Sequence, residues 1–320
     1  IAILIAVLLR SLAGILTRYV PLEGRWAVVV VALAMIGVIG AFVGLTGDRL
    51  ADQLDQLVAT IPETLNELET WLRQYEWGNQ LVDGWDEMRA NPTLDSEVFT
   101  QITAFFSGAL GIATNAALVT VAGVYMAFEP DIYVNGLVSL APKQRRKRVE
   151  QVLGEGYDIV RRWLIARLIS VLVVGMLTFI GLTLIGMPLA LTLAVIAALL
   201  SFIPNIGPIL SSIPAILVGL TQGLTLGLLA AVVYVVVQLI ENYLITPNVQ
   251  RRTVALPPAL VMLTQIFLGL LFGWLGLFIA APLVAFCMVL VKSFYVEDLL
   301  DDDVGPIVQQ HIEAMPEMQQ

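Results

Sequence analysis

Cysteine and histidine are almost absent from this 320-residue chain; Cys287 and His311 each stand alone. One cysteine excludes an intrachain disulfide and a thiolate metal cluster. One histidine excludes paired-histidine zinc sites, and its place in a polar tail argues against a Ser-His-Asp triad or haem ligation. Charge is scarce as well: Asp, Glu, Lys and Arg make up 13% of the residues, against roughly 25% in a typical soluble domain. No P-loop, no glycine-rich dinucleotide fingerprint and no GxSxG nucleophile elbow occurs. The chain is therefore not expected to be an enzyme, and no catalytic residue, metal site or cofactor is assigned. An ATP-driven activity would need a nucleotide-binding domain on another chain.

What is present is apolar. Hydrophobic residues account for 58% of the chain, and the mean hydropathy is +0.86. A water-soluble fold of this size has no interior large enough to hide that surface, so the solvent for most of the chain is expected to be lipid. The net charge of −9 is uneven. Residues 47–98 hold twelve acids and three basic residues, and residues 292–320 hold seven acids and one Lys, so the rest of the chain is net basic by +6. In a membrane protein, basic and acidic segments report sidedness.

A pass along the chain gives an order of segments. Residues 1–46 read as two spanning helices, the first interrupted by Arg10 and incomplete, since Ile1 lies inside an apolar run. Residues 26–46 are uncharged, with Arg18 and Arg25 before them and Asp48 after, which puts the Arg-bearing turn in the cytoplasm. Residues 47–98 form an acidic, extracytoplasmic amphipathic arm. Its stripe of Leu50, Leu54, Leu57, Ile61, Leu65, Leu68, Leu72 and Tyr75 has helical spacing, with a break expected near Pro62. The stripe serves either as a lid on its own bundle or as an oligomer contact or vestibule wall.

Residues 99–128 return through the membrane, with Asn115 as a polar residue inside the span. Residues 129–167 form a basic cytoplasmic segment; its stripe from Val149 to Leu164 suits a helix lying along the membrane surface. Lys143, Arg145, Arg146, Lys147 and Arg148 are expected to meet anionic lipid head groups rather than nucleic acid. Residues 168–291 are the transmembrane core, with helical hairpins around 189–220 and 259–291. Residues 292–320 are an acidic cytoplasmic tail. Trp163, Trp274 and Tyr295 read as interfacial anchors. Gly219, Gly223 and Gly227 form a ladder of small residues that favours close helix approach, and a homo-oligomer is expected.

The functional expectation rests on two features of the core. Pro204-Asn-Ile-Gly-Pro208 breaks an apolar segment too short to span. Irregular backbone at membrane depth is tolerated only against protein or water, so Pro204, Asn205, Gly207 and Pro208 are candidates for a solute or ion pathway, with a plain tight turn as the alternative. Glu241 ends a long uncharged helix between Gln238 and Asn242. A carboxylate there can bind a cation or carry a proton; alternatively it ends the span at the interface, paired with Arg251 or Arg252. Gln222 and Gln265 suit turns or helix–helix hydrogen bonds. Arg10 either pairs with an acid in the bundle or snorkels to the cytoplasmic surface.

Several blocks also resemble a known family. Ser201-Phe-Ile-Pro-Asn-Ile-Gly-Pro-Ile-Leu210 with Ile213-Pro-Ala215, then Gln238-Leu-Ile-Glu-Asn-Tyr-Leu-Ile-Thr-Pro247, then Leu256-Pro-Pro258 and Gly273-Trp-Leu-Gly-Leu-Phe-Ile-Ala-Ala-Pro-Leu283 are similar, in that order, to the signatures of the autoinducer-2 exporter family. The sequence departs from the pattern after Thr246-Pro247, where it reads Asn248-Val-Gln-Arg-Arg-Thr253. The resemblance implies an all-α, polytopic protein of the bacterial inner membrane that exports a small polar solute, with members described as autoinducer-2 exporters and others as sodium–proton antiporters. Beside these stands a third expectation, a non-transporting membrane scaffold acting through the arm and the tail.

Overall fold

The computed structural model of the chain describes residues 1–74, Asn79, Val82, 109–245 and 256–299. The side chains of the Leu50-to-Leu72 stripe and of Asn115, together with Tyr75, Arg251, Arg252, His311 and the tail beyond Leu299, lie outside the described residues. Every described element is a helix, and among these residues there is no strand. That is the outcome expected in lipid, where a backbone without water must satisfy its hydrogen bonds within one segment.

In chain order the helices are α1 (Ala2–Leu16), α2 (Gly24–Leu72), α3 (Ala109–Phe128), α4 (Pro130–Leu140), α5 (Arg146–Leu184), α6 (Ala190–Leu200), α7 (Ile206–Thr221), α8 (Leu224–Ile240), α9 (Pro258–Phe272) and α10 (Trp274–Leu290). A π turn extends α8 over Glu241–Ile245, and another extends α10 over Val291–Glu297. Among the described residues, four stretches are long and apolar enough to cross a bilayer: Gly24–Arg49, Arg146–Leu184, Leu224–Ile245 and Trp274–Glu297. Helices α1, α6, α7 and α9 fall short of the roughly 20 residues a span needs.

Helix α5 is the spine. Its 39 residues make it about 58 Å long at 1.5 Å per residue. Along its first half it packs on α1 and, antiparallel, on α10: a Cβ at Gly156 would lie 2.5 Å from the Phe286 ring. Along its second half it packs on α6 and α8, where Gly175 faces Ala198 and Gly181 faces Val233. One apolar cluster joins α5 to α8 through Leu182, Leu193, Ala215 and Ala230. A second joins α1, α2 and α3 through Leu9, Val28 and Ala127, and a third joins α1, α5, α9 and α10 through Val7, Trp163, Val261 and Ala281.

The boundaries differ from the sequence reading in four places. The surface helix expected before residue 168 and the span after it are one helix, α5, and the stripe from Val152 to Leu164 packs on protein rather than along a membrane surface. Pro62 does not interrupt α2, because a lone proline removes one backbone hydrogen bond and kinks a long helix rather than ending it. The break in the first hairpin covers residues 201–205. Gly207 and Pro208 fall in the first turn of α7, where the missing N–H of proline has no acceptor to lose. The glycine ladder is split between two helices: Gly223, at φ 126°, makes the α7–α8 turn, and Gly219 meets Gly227 across it. In the second hairpin Gly273, at φ 61°, makes the turn between α9 and α10.

Candidate functional site

Where α5 passes the α6–α7 break, the end of α8 and the start of α9, a cavity of about 230 Å³ opens. Six of the seven sequence candidates line it: Pro204, Asn205 and Pro208 from the α6–α7 break, and Gln238, Glu241 and Asn242 from the end of α8. The seventh, Gly207, faces the other way. A Cβ there would lie 1.9 Å from the Leu200 carbonyl oxygen, so its role is to let α7 start tight against the end of α6. The opposite wall comes from Trp163 and Arg167 of α5, Pro258 and Val261 of α9, and Ala281 of α10.

The break is held by side chains. Arg167 Nε donates to the Phe202 carbonyl (3.3 Å), and Gln265 Nε2 donates to the Pro204 carbonyl (3.1 Å). The Pro204 carbonyl also accepts from the Ile206 N–H (2.8 Å); in this irregular segment, where helix partners are missing, donors from α5 and α9 complete the hydrogen bonding of the carbonyls. Asn205 sits at φ 66°, a left-handed value that asparagine tolerates better than branched residues.

Glu241 is 4% exposed and opens the π turn at the end of α8. Such turns recur at functional sites, because the extra residue re-aims side chains. Its Oε1 accepts from Arg167 Nη1 (3.1 Å) and from Ser170 Oγ (2.7 Å). Among the described residues its Oε2 has no hydrogen-bond partner, and neither does Gln265 Oε1. The side chains of Arg167 and Glu241 are only 10% and 5% exposed. A buried pair of this kind is electrically neutral, yet it leaves a carboxylate oxygen with lone pairs and no donor. The site can therefore accept a hydrogen bond from a polar solute, a proton or a cation.

Sequence reasoning missed Arg167, which it grouped with the basic cluster, and Ser170. It offered Arg251 or Arg252, which lie outside the described residues, as partners for Glu241; among the described residues the ion-pair partner is Arg167. The signal was available, because residues 168–240 carry no charge at all, and Arg167 and Glu241 are the charges that border this stretch. Trp163, Arg167 and Ser170 also recur at helical spacing, which puts them on one face of α5.

Other residues singled out from the sequence lie away from the cavity. Lys143, Arg145 and Lys147 are exposed. Arg146 donates to the Ala141 and Ser139 carbonyls, and Arg148 pairs with Glu297 and Asp298. Arg10 donates to the Ala127 carbonyl (3.4 Å). Trp163, expected at an interface, is 7% exposed and packs edge-on against Phe202, which stacks on Phe278. The part of α2 beyond its apolar stretch touches its own bundle, with Thr192 Oγ1 donating to Gln53 Oε1.

Comparison with known proteins agrees with this architecture. The family model described as AI-2E family transporter matches residues 1–295. YueF of Bacillus subtilis is 24% identical over 281 residues, covering 84% of this chain and 75% of its own. YhhT of Escherichia coli K12 is 24% identical over 276 residues, covering 83% and 76%. Protein sll0060 of Synechocystis is 23% identical over 308 residues, covering 92% and 87%. Each is named as a candidate transport protein, and none of the names states a solute.

Proposed function

The chain belongs to the AI-2E family of transporters, and from that premise we propose that it exports a small polar solute across the bacterial inner membrane through the Arg167–Glu241 cavity. The observation that carries this reading is a carboxylate with one unpartnered oxygen in a cavity walled by both broken hairpins. Autoinducer-2, a small polyhydroxylated signal, suits a site of acceptors, amides and a guanidinium. No nucleotide motif occurs in the chain, so movement is passive or coupled to an ion gradient.

In this reading the α2 extension stands outside, while the basic start of α5 and the chain from Lys292 onward lie in the cytoplasm. The same chain assembles as a homo-oligomer. A cysteine introduced on the exposed face of the α2 extension, at Asp52 or Gln56, would crosslink copies in membranes if they meet there.

The test is flux in proteoliposomes containing the full chain. Glu241→Gln and Asn205→Ala are expected to reduce autoinducer-2 efflux by about tenfold or more, with the fold intact by thermal unfolding. Unchanged flux in both variants rejects the site. A second reading, sodium–proton antiport, is favoured by the unpartnered Glu241 Oε2, which is the kind of ligand a cation or proton needs. An imposed sodium gradient would then move protons in a Glu241-dependent manner without any organic solute. Absence of both activities would leave the scaffold reading.

A further inference from the structure

A second cavity, of about 310 Å³, lies between the later turns of α1, the first turn of α2 and the α3–α4 junction. Three charged side chains line it: Arg10 of α1, Arg25 of α2 and Asp131 of α4. Among the described residues no ion pair joins them. Arg10 spends one N–H on the Ala127 carbonyl, and a guanidinium carries five. Gly24 and Arg25 also bring the start of α2, whose first backbone N–H groups have no acceptor inside the helix.

The depth of this cavity is set by α2. Its apolar span begins at Gly24, so the cavity sits where lipid head groups meet the protein. Trp26, in the next positions, is 62% exposed, and Val30 and Leu33 continue an exposed apolar track along the helix. Amphipathic rings at that level mark the interface, and the track suits an acyl chain.

The charge pattern selects among head groups. Two guanidiniums and a carboxylate complement a phosphate joined to an ammonium. Glu23 and Glu129, each one residue before a helix start beside the cavity, offset Arg161, whose guanidinium lies 3.8 Å from where a Cβ at Gly14 would sit, so the surroundings add little net charge to the lining. We propose that this cavity binds the head group of an aminophospholipid, with the phosphate on Arg10 and Arg25 and the primary ammonium on Asp131. The site needs only that α2 crosses the bilayer, and it stands whatever solute the Glu241 cavity carries.

Native mass spectrometry of the full chain in detergent tests this with three probes: phosphatidylethanolamine, phosphatidylglycerol and inorganic phosphate. The wild type is expected to retain phosphatidylethanolamine over phosphatidylglycerol. Arg10→Gln with Arg25→Gln is expected to weaken phosphatidylethanolamine binding about tenfold, a change of about 1.4 kcal/mol. Asp131→Asn, at an exposed position that leaves the fold intact, is expected to abolish the preference between the two lipids. Undiminished phosphatidylethanolamine retention by the double variant overturns the site. So does wild-type preference for phosphatidylglycerol, or a preference that survives Asp131→Asn. Displacement of the lipid by equimolar inorganic phosphate would identify the ligand as free phosphate and overturn the lipid assignment.

Discussion

Two arginines on α5 can be compared directly, Arg148 in its first turn and Arg167 nineteen residues on, each against a carboxylate and about 28 Å apart along the axis. The chemistry is the same and the surroundings are opposite. Arg148 lies 2.7 Å from Glu297 with side chains 30% and 24% exposed, and Asp298 shares it at 3.0 Å. Arg167 lies 3.1 Å from Glu241 with side chains 10% and 5% exposed. At the outer pair water competes for both charges, and the interaction ties the C-terminal π turn to the start of α5. At the inner pair both charges are largely desolvated, with only the cavity beside them. Desolvating two ions costs several kcal/mol each, and their attraction returns that only with good geometry and further hydrogen bonds. The inner pair is therefore a poor way to stabilise a bundle and a good way to hold a reactive carboxylate ready. Distance alone, shorter at the outer pair, would rank the two the wrong way round.

The largest effect expected from this contrast comes from removing one inner partner. Arg167→Ala leaves the Glu241 carboxylate buried without its cation and should destabilise the protein by about 3–5 kcal/mol, read as thermal unfolding in nanodiscs. Arg167→Leu combined with Glu241→Leu should recover much of that loss, because the orphaned charge is gone, while transport stays abolished. If the double variant is as unstable as the sum of the single ones, the two residues are not coupled and the contrast between the pairs fails.

Next in size are the glycines that bring each hairpin together. A Cβ at Gly207 would lie 1.9 Å from the Leu200 carbonyl oxygen, and a Cβ at Gly276 the same distance from that of Leu268. These contacts are with backbone, so the helices themselves must move. Gly207→Val and Gly276→Val should each cost about 1–3 kcal/mol. Only the first is expected to reduce transport by more than the stability loss explains, because it displaces Pro204, Asn205 and Pro208. Equal transport defects in both would show that the two hairpins contribute alike.

These residues also show what was legible in the sequence. The helical class follows from composition, because a chain this apolar has few alternatives in lipid. Local signals, a proline–glycine break and a carboxylate after an uncharged helix, pick out residues that line one cavity. What local signals do not carry is which distant residue completes the site. Arg167 looks like one more member of a basic run until folding brings it against Glu241, 74 positions later. Gln265 suits a turn or a helix–helix hydrogen bond by sequence, and nothing local says that it is fully buried and holds the Pro204 carbonyl of the break. Continuity was misread for a related reason. The charge drop at residue 168 marks a change of surroundings along α5 and not an end of the helix.

Gln265 provides a smaller test of the inner region. Gln265→Leu removes the donor to Pro204 but also removes an amide oxygen that has no partner. The two effects partly offset, so stability should fall by only about 1 kcal/mol. Flux should fall further than that, since the break loses its tie to α9. Hydrogen exchange at Asn205 and Ile206 would report the loosening directly, and protection identical to the wild type would mean that Arg167 alone holds the break.

The outer pair should give the smallest effect of all. Arg148→Gln removes contacts to Glu297, Asp298 and the Ser293 carbonyl, yet an exposed ion pair contributes only about 0–1 kcal/mol. A cation in the first turn of a helix also opposes the helix dipole, which offsets part of that gain. The small loss should shrink as salt is raised from about 0.05 M to 0.5 M, because the Debye length falls below the spacing of the charges around the pair. The Arg167→Ala defect should hardly respond to the same salt series. Parallel salt responses at the two sites would mean that water reaches Glu241 as freely as it reaches Glu297, and the difference in burial on which the comparison rests would be gone.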